Sequence, residues 1–231
     1  MKFKEKLLQG TLIKRYKRFF VDIEYKNKII TSHCPNSGSM MGLLNKGNDV
    51  WFSESSNTKR KLKYTLEIVK SGKTLVGTNT HLTNKIVLEA LNQKKIRNLN
   101  KFNNIKTEIK FSDKTRFDFL ISSNKKKCFL EVKNVTLSRK NKIAEFPDAI
   151  TSRGTKHLKE LISAKKKGFE SYIFYLIQRD DCRSFKIAKD IDQEYKIAFD
   201  EALKNGVNIL CYDCKLSNEE IKLNNQIIYE Q

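Results

Sequence analysis

The chain has 231 residues and carries 46 Lys and Arg against 26 Asp and Glu, a formal charge of +20. At roughly 100–200 residues per domain this is one large or two small domains with ample chain for a core, and 39% hydrophobic with 31% charged residues describes a folded chain rather than a disordered one. Two prolines and nine glycines exclude collagen-like and Pro-rich sequence, and apolar runs such as 172–177 fall far short of a membrane span of roughly 18 residues. The opening MKFKEKLLQGTL has neither an apolar h-region nor a small-residue cleavage site, so a cytoplasmic protein with no membrane partner is expected.

The first eighty residues alternate short β-type runs with turns. Strands are expected over 11–13, 19–25, 29–33, 49–53, 62–69 and 74–77, with Ser71-Gly72-Lys73 as a hairpin turn. Short strands without a helix in a small, very basic unit suggest a small barrel. An OB-like barrel is one such form, often used on nucleic acids; an SH3-like or sandwich unit is the alternative. The pattern then changes. Thr83 or Asn84 is expected to cap a helix through KIVLEALNQKK, followed by strands over 107–111, 115–122 and 128–137. A second helix is expected within 149–167 with Gly168 at C′, then an apolar core strand over 169–178, a third helix over 193–204 ending at Gly206, and a strand over 207–216. That order is an α/β domain. The boundary falls near 79–82, giving domains 1–81 and 82–231.

The positive charge is regional: +10 over 1–81, +14 over 82–168 and −4 over 169–231. A uniform coding bias does not explain a C-terminal segment of opposite sign. A field of this kind attracts polyanions, of which nucleic acid is the commonest in a cytoplasm; a ribosome or anionic lipid is the alternative, and no basic amphipathic helix supports lipid. Two stretches combine cations with aromatics, which suits phosphate neutralisation beside base stacking: Lys14, Arg15, Tyr16 and Arg18 in the first, and Lys59, Arg60, Lys61 and Lys63 in the second. Their competing reading is a two-faced strand with aromatics inward. Asn36 and Ser37, in the loop before Gly38 and Ser39, are candidates for a phosphate or for an ordinary turn. Arg153 and Lys156 fall near the start of the second helix, a favourable place for an anion. His157 reads there as a helix-surface residue, and His81 as a hinge or core hydrogen bond.

Five cysteines, an odd number, argue for free thiols. Cys211 and Cys214 make a C-x-x-C, but on a strand an offset of three sends them to opposite faces, and no second pair completes a zinc set.

The most specific signal lies in RFDFL and FLEVKNVTL. Glu131 and Lys133, two apart, share a strand face. If the loop is symmetric about Asn124 and Lys125, Asp118 lies opposite Glu131 and points the same way. Two carboxylates and a lysine then converge, which suits a divalent cation such as Mg²⁺ or Mn²⁺. The competing reading is a structural ion pair, against which stands the strongly apolar sequence around it. Glu89 falls at the edge of the apolar face of the first helix, aimed at the same patch or simply exposed.

The stretches GTLIKRYKRFFVDIE, SHCPNSGSMMGLL, KRKLKYTLEIV, GTNTHLTNKIVLEAL, RFDFLI, LEVKNVTL and FPDAITSRGTKHLKEL resemble, across essentially the whole chain, the sugar fermentation stimulation protein A family. The resemblance implies an N-terminal OB-like β-barrel followed by a PD-(D/E)xK nuclease-like α/β domain, DNA binding without clear sequence preference, and a regulatory role in sugar (maltose) metabolism. By position, Asp118 matches the first acid of the motif and Glu131 and Lys133 its E-x-K pair. Glu89 resembles the helix glutamate of some members of the wider nuclease-like superfamily. Phe117 rather than Pro precedes Asp118, and the second helix offers Arg153, Lys156 and His157 in place of Gln-x-x-x-Tyr. An active Mg²⁺- or Mn²⁺-dependent DNA endonuclease and an RNA-binding module are the alternative functions.

Overall fold

The computed structural model describes residues 1–113, 115–140 and 142–230. Six strands come first: β1 (Leu8–Tyr16), β2 (Phe20–Tyr25), β3 (Lys28–His33), β4 (Asp49–Glu54), β5 (Tyr64–Ser71) and β6 (Thr74–Gly77). They run in the order β3-β2-β1-β4-β5-β6, and β3 also pairs in parallel with β5 through Ser32↔Tyr64 and His33↔Thr65. That pairing closes β1–β5 into a barrel, the OB-like form and not an open sandwich. Alternation fills it: Val21 and Ile23 of β2, Val50 and Phe52 of β4, and Leu66 of β5 point inward with Leu12, Met40 and Leu43. Strand β5 is buried from Thr65 to Val69 because it faces two cores, Leu66 and Val69 into the barrel and Ile68 out of it.

A turn over Thr80–Leu82 leads into α1 (Thr83–Asn92) and the second domain. Its main sheet holds β7 (Asn104–Ser112), β8 (Thr115–Ser122), β9 (Lys127–Val135), β12 (Glu170–Ile177), β14 (Asn208–Leu216) and β15 (Ile221–Gln226), in the order β15-β14-β12-β9-β8-β7. Strand β12 runs parallel to both β9 and β14, and central parallel strands are covered on both faces, which is why 172–177 is apolar without alternation. Helix α1 covers one face, and α2 (Ser152–Lys166) with α3 (Gln193–Lys204) the other. A second sheet, β10 (Leu137–Lys140), β11 (Ile143–Phe146), β13 (Ser184–Ile187) and β16 (Ile228–Tyr229), was not expected from the sequence. Its strands are two to four residues long and three of the four are joined in parallel across long separations, so no local alternation announces them.

The helix starts differ from expectation in one informative place. Thr151 and Asp192 cap α2 and α3 through their side chains, but α1 has Leu82 at its cap position and no side-chain cap bond. Thr83 and Asn84 lie inside the helix with their side chains turned to other partners. Gly168 and Gly206 end α2 and α3 at φ +87° and +78°, as expected of C′ glycines.

The barrel is seated on the second domain through apolar and polar contacts. Leu7 and Ile68, flanked by Trp51 and Leu75, belong to the same core as α1 and the main sheet. The Gly77 N–H donates to the Gln178 carbonyl at 2.8 Å, and Thr74 Oγ1 to Asp181 at 3.1 Å. All five cysteines are buried free thiols, and Cys211 and Cys214 point into opposite cores as the strand offset requires. Among the described residues no helix is long and apolar enough to cross a membrane.

Candidate metal and nucleic-acid site

Strands β8 and β9 pair through Phe119↔Leu130, Leu120↔Phe129 and Ile121↔Cys128, the register deduced from the loop symmetry. The ladder stops one step before Asp118. On the other side, β7 and β8 pair at Thr107↔Phe119 and Ile109↔Phe117, but Glu108 between them has φ +52°. Phe119 and Ile121 belong to the core under α1 while Phe117 belongs to the core under α2, so β8 turns over at Asp118. The freed carboxylate accepts from the Val132 N–H at 2.7 Å and from Asn84 Nδ2 at 2.8 Å.

Glu131 is buried to 2% exposure. Its Oε1 accepts from Lys133 Nζ at 2.7 Å and is in contact with His157 Nδ1, while Lys133 Nζ lies 3.1 Å from that same ring nitrogen. His157 Nδ1 can donate to the carboxylate or accept from the ammonium, not both at once. Glu131 Oε2 is buried and has no hydrogen-bond partner among the described residues. Burial pushes the Glu131 carboxyl up, but the Lys133 charge and His157 more than reverse it, and it sits below the usual range. Asp118 is pushed up to about 7 by burial and by the Glu131 charge, against the bonds from Val132 and Asn84.

These groups lie in an open cleft of about 1440 Å³ between the starts of α1 and α2, with Ser37 of the barrel on its rim. That exceeds the roughly 300–1,000 Å³ of a small-molecule pocket. A buried carboxylate oxygen without a donor, beside a carboxyl whose ionisation is opposed by its neighbour, fits a missing positive charge between them. Mg²⁺ and Mn²⁺ take oxygen ligands and are held by one or two carboxylates with water or phosphate completing the shell. Among the described residues no group of three His, Cys, Asp or Glu could hold an ion, so the protein would supply two ligands at most from this set.

The helix residue that reaches the carboxylates is Asn84. Glu89 is directed elsewhere, accepting from the Met1 nitrogen at 2.7 Å, and the cleft lining does not include it. An advance of five residues on α1 carries it to the β15 side. His157, read as a surface residue, is 5% exposed. The signal was its place in the stripe Gly154, His157, Leu158, Leu161, Ile162, the buried face of α2. Thr83 and Asn134, bonded to each other at 3.2 Å, line the cleft beside Lys133 and were also missed.

Residues 81–220 match the family model for the sugar fermentation stimulation protein RE domain, and residues 13–78 that for the SfsA N-terminal OB domain. The chain belongs to the sugar fermentation stimulation protein family. It is 53% identical over 227 residues to the sugar fermentation stimulation protein homolog of Pelagibacter ubique, covering 98% of each chain. It is 43% identical to that of Bartonella quintana, covering 96% of this chain and 95% of the other. The fold matches that of Pyrococcus furiosus SfsA, solved in complex with Ca²⁺, with a TM-score of 0.90 at 24% identity over 100% of this chain and 98% of that one.

In this member of the sugar fermentation stimulation family the basic candidates divide by what already holds them. Arg15 is committed to the fold: its guanidinium donates to the carbonyls of Asn36 at 2.7 Å, Gly38 at 3.0 Å, Ser39 at 3.3 Å and, through Nε, Arg18 at 2.7 Å. Asn36 is buried and organises the same loop, its amide donating to the Thr78 carbonyl and its oxygen accepting from the Gly38 N–H. The Tyr16 hydroxyl donates to Asp22, Lys14 lies over the Tyr16 ring, and Lys63 pairs with Glu54 at 2.7 Å. Arg18, Lys59, Arg60 and Lys61 are exposed, and Ser37, Arg153 and Lys156 line the cleft. Arg153 Nε is 3.5 Å from His157 Nε2.

The Arg15-pinned loop meets the segment between β11 and α2 through Asp148, whose carboxylate accepts from the Met40 N–H at 3.1 Å. A Cβ on Gly38 would stand 2.5 and 2.6 Å from the two Asp148 oxygens. Gly38→Ala is therefore expected to break this tie and cost about 1–3 kcal/mol of stability, measurable by urea denaturation. A midpoint unchanged from the parent protein would show that the loop and Asp148 separate at no cost.

Proposed function

We propose that this chain is a cytoplasmic DNA-binding protein whose cleft holds Mg²⁺ or Mn²⁺ between Asp118 and Glu131 and presents Lys133 to a backbone phosphate. The observation that carries the reading is the unpartnered, buried Glu131 Oε2 beside the raised Asp118. The Ca²⁺ of the Pyrococcus furiosus relative, also an oxygen-seeking divalent ion, supports it. Bound there, such an ion supplies charge neutralisation to phosphate oxygens and acidifies a bound water. Asn84 and the Val132 N–H hold the Asp118 carboxylate in place, and Lys133 keeps Glu131 ionised in an apolar setting. The field of +24 over residues 1–168 draws the polyanion in without reading sequence. A regulatory role in sugar metabolism would follow from such binding near the genes concerned.

Two measurements test this. Affinity for duplex DNA should fall steeply with salt; an affinity indifferent to salt would sink the electrostatic reading. The ion must also displace the Asp118 proton. Below about pH 7 that carboxyl is protonated in the free protein, so Mn²⁺ affinity by titration calorimetry should rise about tenfold per pH unit toward 7 and level above it. A flat profile would place the ion elsewhere.

A second reading, DNA cleavage, is favoured by Lys133, whose ammonium sits in the cleft 2.7 Å from the Glu131 carboxylate and would orient a phosphate or a water. Supercoiled plasmid incubated with and without Mn²⁺, beside Glu131→Ala, tests it: cutting that depends on metal and vanishes in the variant supports an endonuclease. DNA binding with no cutting leaves the binding protein. RNA binding is read out by substituting an RNA of the same sequence.

A further inference from the structure

A row of three exposed or half-exposed rings runs from the barrel to the carboxylate cleft. Phe19, at the β1–β2 turn, is 43% exposed and lies nearly parallel to His33, with centroids 6.4 Å apart and planes inclined by 27°. His33 in turn is 6.5 Å from the ring of His81. Neither end of this row is there to pack a core. The β1–β2 turn places Lys17 and Arg18 at φ +45° and +61°, where glycine or asparagine is the ordinary choice, so a strained turn carries two cations and an aromatic into solvent.

His81 is fixed with equal care. Its N–H donates to Asn79 Oδ1 at 3.0 Å, and Asn79 Nδ2 donates to the buried Glu67 at 2.7 Å. Ser53 holds the other Glu67 oxygen at 2.6 Å, and Thr80 Oγ1 donates to the Pro35 carbonyl at 2.7 Å. The turn that bears the ring is thus tied to the barrel on two sides. His81 and Lys85 border two depressions at once, the carboxylate cleft and a second of about 690 Å³ that reaches back to His33 and Arg60. Burial, with the Arg60 charge beside it, holds His33 below the usual imidazole range.

We propose that Phe19, His33 and His81 form a stacking track for the unpaired bases of a single-stranded polynucleotide, whose backbone follows Arg18, Arg60 and Lys85 toward Asp118 and Glu131. Every base has a π face, so rings in series bind without reading sequence, and flanking cations follow the phosphates. A duplex keeps its bases stacked on one another and gains only the cations. The proposal rests on the nucleic-acid reading above and makes it more specific, naming an unpaired strand as the partner of the cleft.

The test is fluorescence anisotropy on the full-length protein in metal-free buffer. Probes are a single-stranded DNA of about 15 nucleotides, the same strand as RNA, and the corresponding duplex. Single strands are expected to bind at least about tenfold more tightly than the duplex at equal salt, and Phe19→Leu and His81→Ala each to lose about tenfold on single strands and under twofold on the duplex. His33→Phe, which keeps a ring, should retain binding that His33→Ala loses. A 2-aminopurine base in the strand should be quenched by the parent protein and not by Phe19→Leu. Duplex binding as tight as single-strand binding, or both ring variants within twofold of the parent, overturns the track while leaving nucleic-acid binding intact. Binding of none of the three probes overturns the track and the nucleic-acid reading together. The DNA and RNA arms decide which strand is preferred.

Discussion

Glu131→Gln is expected to weaken Mn²⁺ binding by about 100-fold or more, because it removes the charge but keeps the shape of the cleft carboxylate whose buried oxygen is left for an ion. Any cutting of plasmid DNA should disappear with it. Binding of DNA in the presence of a chelator should stay within about twofold of the parent, since the cations that attract the backbone are untouched. Calorimetry with Mn²⁺ is the direct check, and survival of the binding isotherm in the variant would show that the carboxylate pair is not the ion's seat.

Lys133→Met should have the largest effect on stability. The ammonium is the charged partner of a carboxylate that is nearly inaccessible to water, and deleting one member of a buried pair costs about 3–5 kcal/mol. The pH dependence identifies the cause. Without Lys133, the Glu131 carboxyl rises above its unfolded value, so the folded state holds a proton that the unfolded state releases. Stability of the variant relative to the parent then falls as pH rises through that window. Urea denaturation at about pH 5 and about pH 8 should show the smaller deficit at the lower value. An equal deficit at both would point to lost packing by the lysine stem.

The site divides into what strand geometry dictates and what only the folded chain decides. The register that brings Asp118 level with Glu131 followed from a short symmetric loop, a local property, whereas the turning over of β8 at Asp118 did not. Asn84 was hidden because a polar residue at the start of a helix reads as a cap, and only the folded chain reveals that the preceding turn, held by Asn79, makes such a cap unnecessary. His157 was legible in its spacing on the buried stripe of α2 but was outweighed by how often helical histidines face water. Arg15 and Asn36 fit a nucleic-acid pattern by composition, yet the Arg15 guanidinium is engaged by carbonyls of the loop around Asn36 and the Asn36 amide by the Thr78 carbonyl, both distant in sequence. The small second sheet lay beyond reach for a similar reason, its strands being too short to carry a period of their own.

The joint between barrel and α/β domain has a mechanical consequence. Since Ile68 and Leu7 complete the core beneath α1, the barrel cannot swing away without exposing that core, and a fragment ending near residue 81 would present the same apolar face to water. Heat or urea should therefore melt the whole chain in one cooperative step. The span from the barrel's rings to the paired carboxylates is correspondingly fixed, so a strand lying along the proposed track would be measured as by a ruler rather than gripped as by a clamp.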